Sequence, residues 1–348
     1  MYWLLVIGYW LLGSWAFGPL SSASQTATLP PDIQQYLTQV AKFTPADLAR
    51  LESGGVIAQI MPGASDTEVT TVAAVKVRAS RDQVVSYYGQ MISYVDGKTT
   101  LAFSKFSAPP ALSDVRMLTL DADDISQIRS CKPGKCDLRL SGSAITALRG
   151  SIDWKAPNAA ELATAKVREA VVAYVTKYMS AGDDALITYD DRSEAQSLKG
   201  EWQAILAASP YFQQYSAPLH DYLAQYPRRP LAGVKDVIYW SKDDYTGLKP
   251  VIQIVHGVIY QDPARPDRTV VAQKQLYASH YYDGSLAIAV AIGGNSAGAP
   301  TYLVYANRSR GDLLKGGFGG MRKSIAKGQA KSAAEQTLGT IKYVLEKQ

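Results

Sequence analysis

The chain has 348 residues, 47% hydrophobic and 19% charged, a balance that excludes a largely disordered protein and allows one large domain or two ordinary ones. The net charge is +5, but residues 308–348 carry nine Lys or Arg against three Asp or Glu, so the rest of the chain is close to neutral. That local positive field suits a solvated helix face or contact with anionic lipid or a phosphorylated ligand, and the lack of any nucleic-acid-binding motif excludes DNA and RNA as expected partners.

Residues 1–17 (MYWLLVIGYWLLGSWAF) are almost wholly apolar, and Gly18-Pro19 breaks the run before Ser21, Ser22 and Ala23. The pattern predicts a cleaved signal peptide over 1–23 and a polar linker over 24–31, although the usual Lys or Arg before the apolar run is missing. An uncleaved anchor is the alternative; the run falls a little short of the ~20 residues that span a bilayer comfortably. The cysteines are Cys131 and Cys136, separated by Lys-Pro-Gly-Lys. In an oxidising compartment they read as a disulfide pinning a tight turn, with a free thiol pair as the alternative. Leader and cysteines together predict a periplasmic or secreted protein.

Two short helices are expected over 32–41 and 45–52, the second opened by Thr44 as cap and Pro45 in the first turn, and stopped by Gly54-Gly55. Strands follow over 56–61 and 68–77. Ala79-Ser80-Arg81-Asp82 then opens a helix carrying Val84, Val85, Tyr88 and Met91, and a strand over 99–106 succeeds it.

Strands are next expected, after a long interval, over 237–241, 250–261, 269–282, 286–292 and 302–307. Their Pro-rich (262–266) and Gly-rich (293–300) connections are those of an antiparallel meander. Ala287, Ala289 and Ala291 share one face of their strand, which admits a helix closely or leaves room for a ligand. Residues 308–348 read as one basic amphipathic helix, with Ala326, Ala330, Ala333, Ala334, Thr337, Leu338 and Ile341 on one face and a bend near Lys327-Gly328. Gly316, Gly317, Gly319 and Gly320 surround Phe318, each weakening a helix by about 1 kcal/mol relative to Ala. Close packing, a lid, or Phe318 entering a membrane would each account for them. The expected fold class is α+β: a curved antiparallel sheet gripping a long C-terminal helix, with a cavity between them.

The passage Val77-Arg78-Ala79-Ser80-Arg81-Asp82-Gln83-Val84 from strand into helix, and the closing strands and helix over 233–348, resemble the START-like (Bet v 1-like, helix-grip) superfamily. The resemblance covers the two ends, and implies a hydrophobic cavity under the C-terminal helix. The whole also looks like uncharacterised secreted bacterial proteins, which lends it no function. Residues 32–348 would then form one START-like domain, interrupted by a largely helical insertion at about 107–232 that a compact helix-grip domain lacks. A separate second domain is the alternative. Within it, the acidic run 121–124 starts a short helix, favoured by the N-terminal dipole, and matches no EF-hand loop. A strand over 137–140, a helix over 159–179, a strand over 185–189 and helices over 194–208 and 217–224 follow.

The three histidines are His220, His256 and His280. His256 alternates with Ile252, Ile254, Val258 and Tyr260, and His280 with Leu276, Ala278 and Tyr282, so both are either satisfied core residues or ligands facing one cavity. His220 lies in an insertion helix and reads as incidental. No H-E-x-x-H, Cys/His cluster, G-x-S-x-G or complete P-loop is present, so no metal or cofactor is expected. The candidate ligand-binding residues are Tyr239, His256, Tyr260, Tyr277, His280, Tyr281 and Tyr282. Phe318, Arg322, Lys323 and Lys327 are the candidates for membrane or anion contact.

Three functions compete. The first is an extracytoplasmic binding or transfer protein holding a hydrophobic, lipid-like ligand between sheet and helix. The second is a cyclase- or hydrolase-type enzyme pairing His256 or His280 with Asp190, Asp191 or Asp283. The third is a structural envelope protein whose interior is filled by its own side chains; cavity volume separates it from the other two.

Overall fold

The computed structural model describes residues 28–92, 97, 99–245, 247–296, 299–311, 314 and 319–347. The leader, Phe318 and the side chain of Arg322 lie outside the described residues. Helix α1 (Pro31–Gln35) runs into a π-turn, and α2 (Pro45–Glu52) follows. A capping box fixes the start of α2: the Thr44 hydroxyl accepts from Asp47 N (3.1 Å), and the Asp47 carboxylate accepts from Thr44 N (2.9 Å). Strands β1 (Ile57–Met61) and β2 (Glu68–Val77), helix α3 (Arg81–Ile92) and strand β3 (Thr100–Lys105) complete the first part.

The middle of the chain supplies α4 (Ala122–Ser130), α5 (Gly142–Ser151), α6 (Ala159–Ala181), the short strands β4 (Thr188–Tyr189) and β5 (Gln196–Ser197), α7 (Leu198–Ala207) and α8 (Pro210–Gln225). Gly182 ends α6 with a φ of 59°, and a Cβ there would lie 1.7 Å from the Tyr226 carbonyl oxygen, so no other residue fits. Helix α8 is kinked at Ser216, two residues before Pro218, which lacks the N–H a helix needs. Strands β6 (Lys235–Asp243), β7 (Val251–Tyr260), β8 (Arg268–Ala278), β9 (Tyr282–Gly293) and β10 (Thr301–Gly311) then lead to α9 (Gly319–Glu346).

Eight strands form one antiparallel sheet in the order β1-β2-β10-β9-β8-β7-β6-β3. The fold is therefore α+β, with a long C-terminal helix on a large antiparallel sheet. Alternation along the strands divides two faces. On one, α9 and α3 pack Ala334, Leu338, Ile341, Val84 and Tyr88 against Val75, Ala289, Ala291 and Leu303. On the other, α1 and α2 cover Val72, Ala74 and Val304. Helices α6, α7 and α8 share that second face: Val175, Tyr178, Trp202 and Leu223 join Trp240, Ile254, Leu276 and Leu286 in one continuous core. They thus cover the sheet on the side away from α9.

Three sequence expectations change. Residues 308–311 belong to β10, because pairing with both β2 and β9 satisfies their backbone better than a helix start would. Helix α9 runs through Gly328 without interruption, and a Cβ there would meet nothing within 4 Å, so no contact forces a bend. The strand expected over 137–140 does not form. Isolated backbone bonds, Arg139 N to Ser279 O (2.9 Å) and Asp190 N to Leu140 O (2.8 Å), tie that segment down instead. Helix α5 follows it, started by the Ser141 hydroxyl accepting from Ala144 N (3.2 Å). Cys131 and Cys136 are disulfide-bonded and sit in a small core with Ile128, Ile145 and Leu148, as an oxidising compartment would allow.

Candidate functional site

A cavity of about 530 Å³ lies between the sheet and α9. Its size follows from the sequence of α9: the wall it offers is Ala326, Gln329, Ala330, Ala333, Ala334, Thr337 and Leu338, and the four alanines leave open the space larger side chains would fill. Tyr88 of α3, Tyr245 after β6, Tyr281 and Tyr282 around the start of β9, and Tyr305 of β10 contribute aromatic faces. Burial pushes the Tyr88 and Tyr245 phenols well up, and that of Tyr305 up to about 12, so all three stay protonated and neutral near pH 7.

The sheet side is more polar. Gln253, Gln275, Ser285, Asn307, Ser309 and Thr71 come from five strands, the order of which makes them neighbours. Ser285 and Ser309 hydroxyls lie 2.8 Å apart, Ser309 donates to the Asn307 carbonyl (2.7 Å), and the Gln275 amide donates to the Gln253 carbonyl (2.5 Å). Arg310 lines the rim, but its guanidinium donates to Glu68 (2.9 Å) and Glu201 (3.0 Å). Glu68 itself is wholly buried and also takes a bond from Arg308. Tyr281 has a φ of 65°, uncommon for a non-glycine residue, and its hydroxyl accepts from Lys249 N (2.8 Å). A backbone held in that region costs about 1–3 kcal/mol, and such positions cluster at ligand clamps and other functional sites.

Of the seven residues singled out as ligand contacts, Tyr281 and Tyr282 line this cavity. Tyr239 points to the same face but is buried against Phe103, its hydroxyl accepting from Gln273 (2.7 Å). Tyr260 belongs to the core beneath α6, α7 and α8, and Tyr277 packs there 6.2 Å from the Tyr189 ring. His256 is fully buried on that opposite face, between Tyr178 (Nδ1, 3.0 Å) and Asp236 (Nε2, 2.8 Å). His280 is held by Asp124 (3.1 Å) and the Asp137 carbonyl (3.1 Å). The acidic partners of the two rings are thus Asp236 and Asp124, while Asp283 pairs with Arg139 (2.6 Å). Lys323 reaches Asp66 at 3.3 Å, and Lys327 is partly exposed on α9.

The Gln, Ser and Asn side chains of the lining lie outside the residues expected from the sequence, yet one signal for them is legible: Tyr305, Asn307 and Ser309 alternate with Val304, Ala306 and Arg308 on one strand. Among the described residues no three His, Cys, Asp or Glu converge as metal ligands would, and no helix is long and apolar enough to cross a membrane. No protein-family model matches the chain, and no curated protein matches it.

Proposed function

We propose that the protein is an extracytoplasmic binding or transfer protein for a hydrophobic, lipid-like ligand held between the sheet and α9, in the manner of a START-like domain. The observation that carries this reading is the cavity itself. Its volume of about 530 Å³ falls within the roughly 300–1,000 Å³ of small-molecule sites, and its walls combine alanine, leucine and tyrosine with a few polar groups. The disulfide and the apolar leader support an oxidising, exported setting, periplasmic or secreted. Lys323, Lys327 and Lys331 on α9 give the protein a positive face with which to approach an anionic membrane. An enzyme built on His256 or His280 has less support, because both rings are buried and hydrogen-bonded to residues away from the cavity.

The test is native mass spectrometry of protein purified from its own compartment, before and after organic extraction. A bound mass released by the solvent, with regained uptake of an apolar fluorescent dye, is the expected result. A protein that carries nothing and takes up no dye would return the reading to a structural envelope protein.

A further inference from the structure

We infer that the ligand is an uncharged amphiphile bearing hydroxyl or amide groups, and that the cavity discriminates against carboxylate, phosphate and ammonium head groups. This rests on reading the cavity as the ligand site. Gln253, Gln275, Ser285, Asn307 and Ser309 form a row of neutral hydrogen-bonding groups across β7, β8, β9 and β10. Most of their groups bond one another, but the Gln275 carbonyl oxygen has no hydrogen-bond partner among the described residues and borders the cavity. It is placed to accept from an O–H or N–H of the ligand. The wall across from it, on α9, is mainly alanine and leucine, with Gln329 and Thr337 among them. A molecule between them meets a row of hydrogen-bonding groups on one side and mostly hydrocarbon on the other.

Charge decides against the alternatives. Among the described lining residues Arg310 alone is charged, and it is bonded to Glu68 and Glu201. With its charge already matched by those two carboxylates, Arg310 offers an anionic head group little attraction, and both carboxylates would repel it. An ammonium would find tyrosine faces but no carboxylate among the described lining residues. Burying a charge without a partner costs far more than burying a neutral group that is hydrogen-bonded.

Displacement of Nile red from the full-length protein tests this with three amphiphiles of equal chain length: a monoacylglycerol, the fatty acid and the alkylamine. The monoacylglycerol is expected to bind about tenfold more tightly than either charged ligand, the loss set by one poorly satisfied charged group. Gln275→Leu should narrow that gap several-fold, since it removes the acceptor for the neutral head group. Ser309→Ala serves as the second variant should Gln275→Leu fail to fold. A fatty acid or amine that matches the monoacylglycerol overturns the inference while leaving the cavity a ligand site. Failure of Nile red and all three amphiphiles to bind overturns the binding function as well.

Discussion

Nε2 of His256 lies 2.8 Å from Oδ1 of Asp236, on the face of the sheet turned away from the cavity. Both ring nitrogens are satisfied when the imidazole is neutral: Nε2–H donates to Asp236, and Nδ1 accepts from the Tyr178 hydroxyl. Burial holds its pKa below the ordinary 6.5, outweighing the pull of Asp236 in the other direction. As pH falls through 6.5, the unfolded chain takes up a proton that the folded chain refuses until lower pH. The unfolded state then binds more protons, so His256 makes stability fall with acidification. Urea midpoints measured from about pH 7.5 to about pH 5.5 should decline, and His256→Gln should flatten that decline while costing about 1–3 kcal/mol at the upper pH. An unchanged slope in the variant would rule out His256 as the source.

Lys274 is fully buried, bonded to Asp183 and to the Leu223 carbonyl (3.2 Å), with its ammonium 4.2 Å from the centre of the Trp202 ring. Desolvation lowers its pKa to about 8 even with Asp183 beside it. Asp183→Ala leaves a buried cation without its counter-charge, and should cost about 3–5 kcal/mol near neutral pH. That loss should shrink as pH rises past about 8, because a Lys274 that gives up its proton no longer carries a charge to bury. Lys274→Met combined with Asp183→Ala should recover much of the stability. Denaturant titrations of the single and double variants at two pH values check both statements.

Filling the cavity should abolish ligand uptake without unfolding the protein. Ala330 lines the cavity and is only partly buried, so Ala330→Trp places an indole in the space with little crowding of the core. Dye affinity should fall at least about tenfold, a loss of roughly 1.4 kcal/mol. Thr340→Trp, on the exposed side of the same helix, should leave it unchanged. Equal affinities in the two variants would place the bound dye elsewhere.

The Cys131–Cys136 bond closes a loop with a sequence separation of 5, for which chain entropy predicts about 2 kcal/mol. Its sulfurs belong to a small core with α4 and α5 and not to the core beneath α6, α7 and α8. Reduction should therefore raise hydrogen exchange in Ala122–Ser130 and Gly142–Ser151 first, with Val251–Tyr260 still protected. Simultaneous loss of protection in both regions would show that the loop is coupled to the whole fold.

Period and punctuation made most of the sheet legible. The alternation in β2 and β6 to β10, the capped start at Thr44, and the alanine face of α9 each reflect local physics that a sequence carries openly. Side-chain facing in β7 and β8 was harder, because the register shifts between Ile254 and Val255. A bulge of that kind breaks simple alternation, and with it any inference about which way His280 and Tyr277 turn. The partners Asp236 and Asp124 were out of reach for another reason. Each is joined to its histidine by tertiary packing, Asp124 across 156 positions, and no local pattern announces such a pair. Helix α5 is hard to read from the sequence because Gly142 and Gly150 dilute its period.

Strand β10 is inserted between β2 and β9, although β2 is made more than two hundred residues earlier. A chain emerging from its N-terminus must therefore hold β2 with an unsatisfied edge until residues 301–311 arrive, and only then does α9 cover what has formed. Completion of the sheet is a late event that depends on the whole chain, and long-range pairing of this kind folds slowly. Until that point the apolar strand Glu68–Val77 is open to pairing with other copies. A polypeptide cut short before β10 would not be an empty version of this protein but an aggregation-prone one.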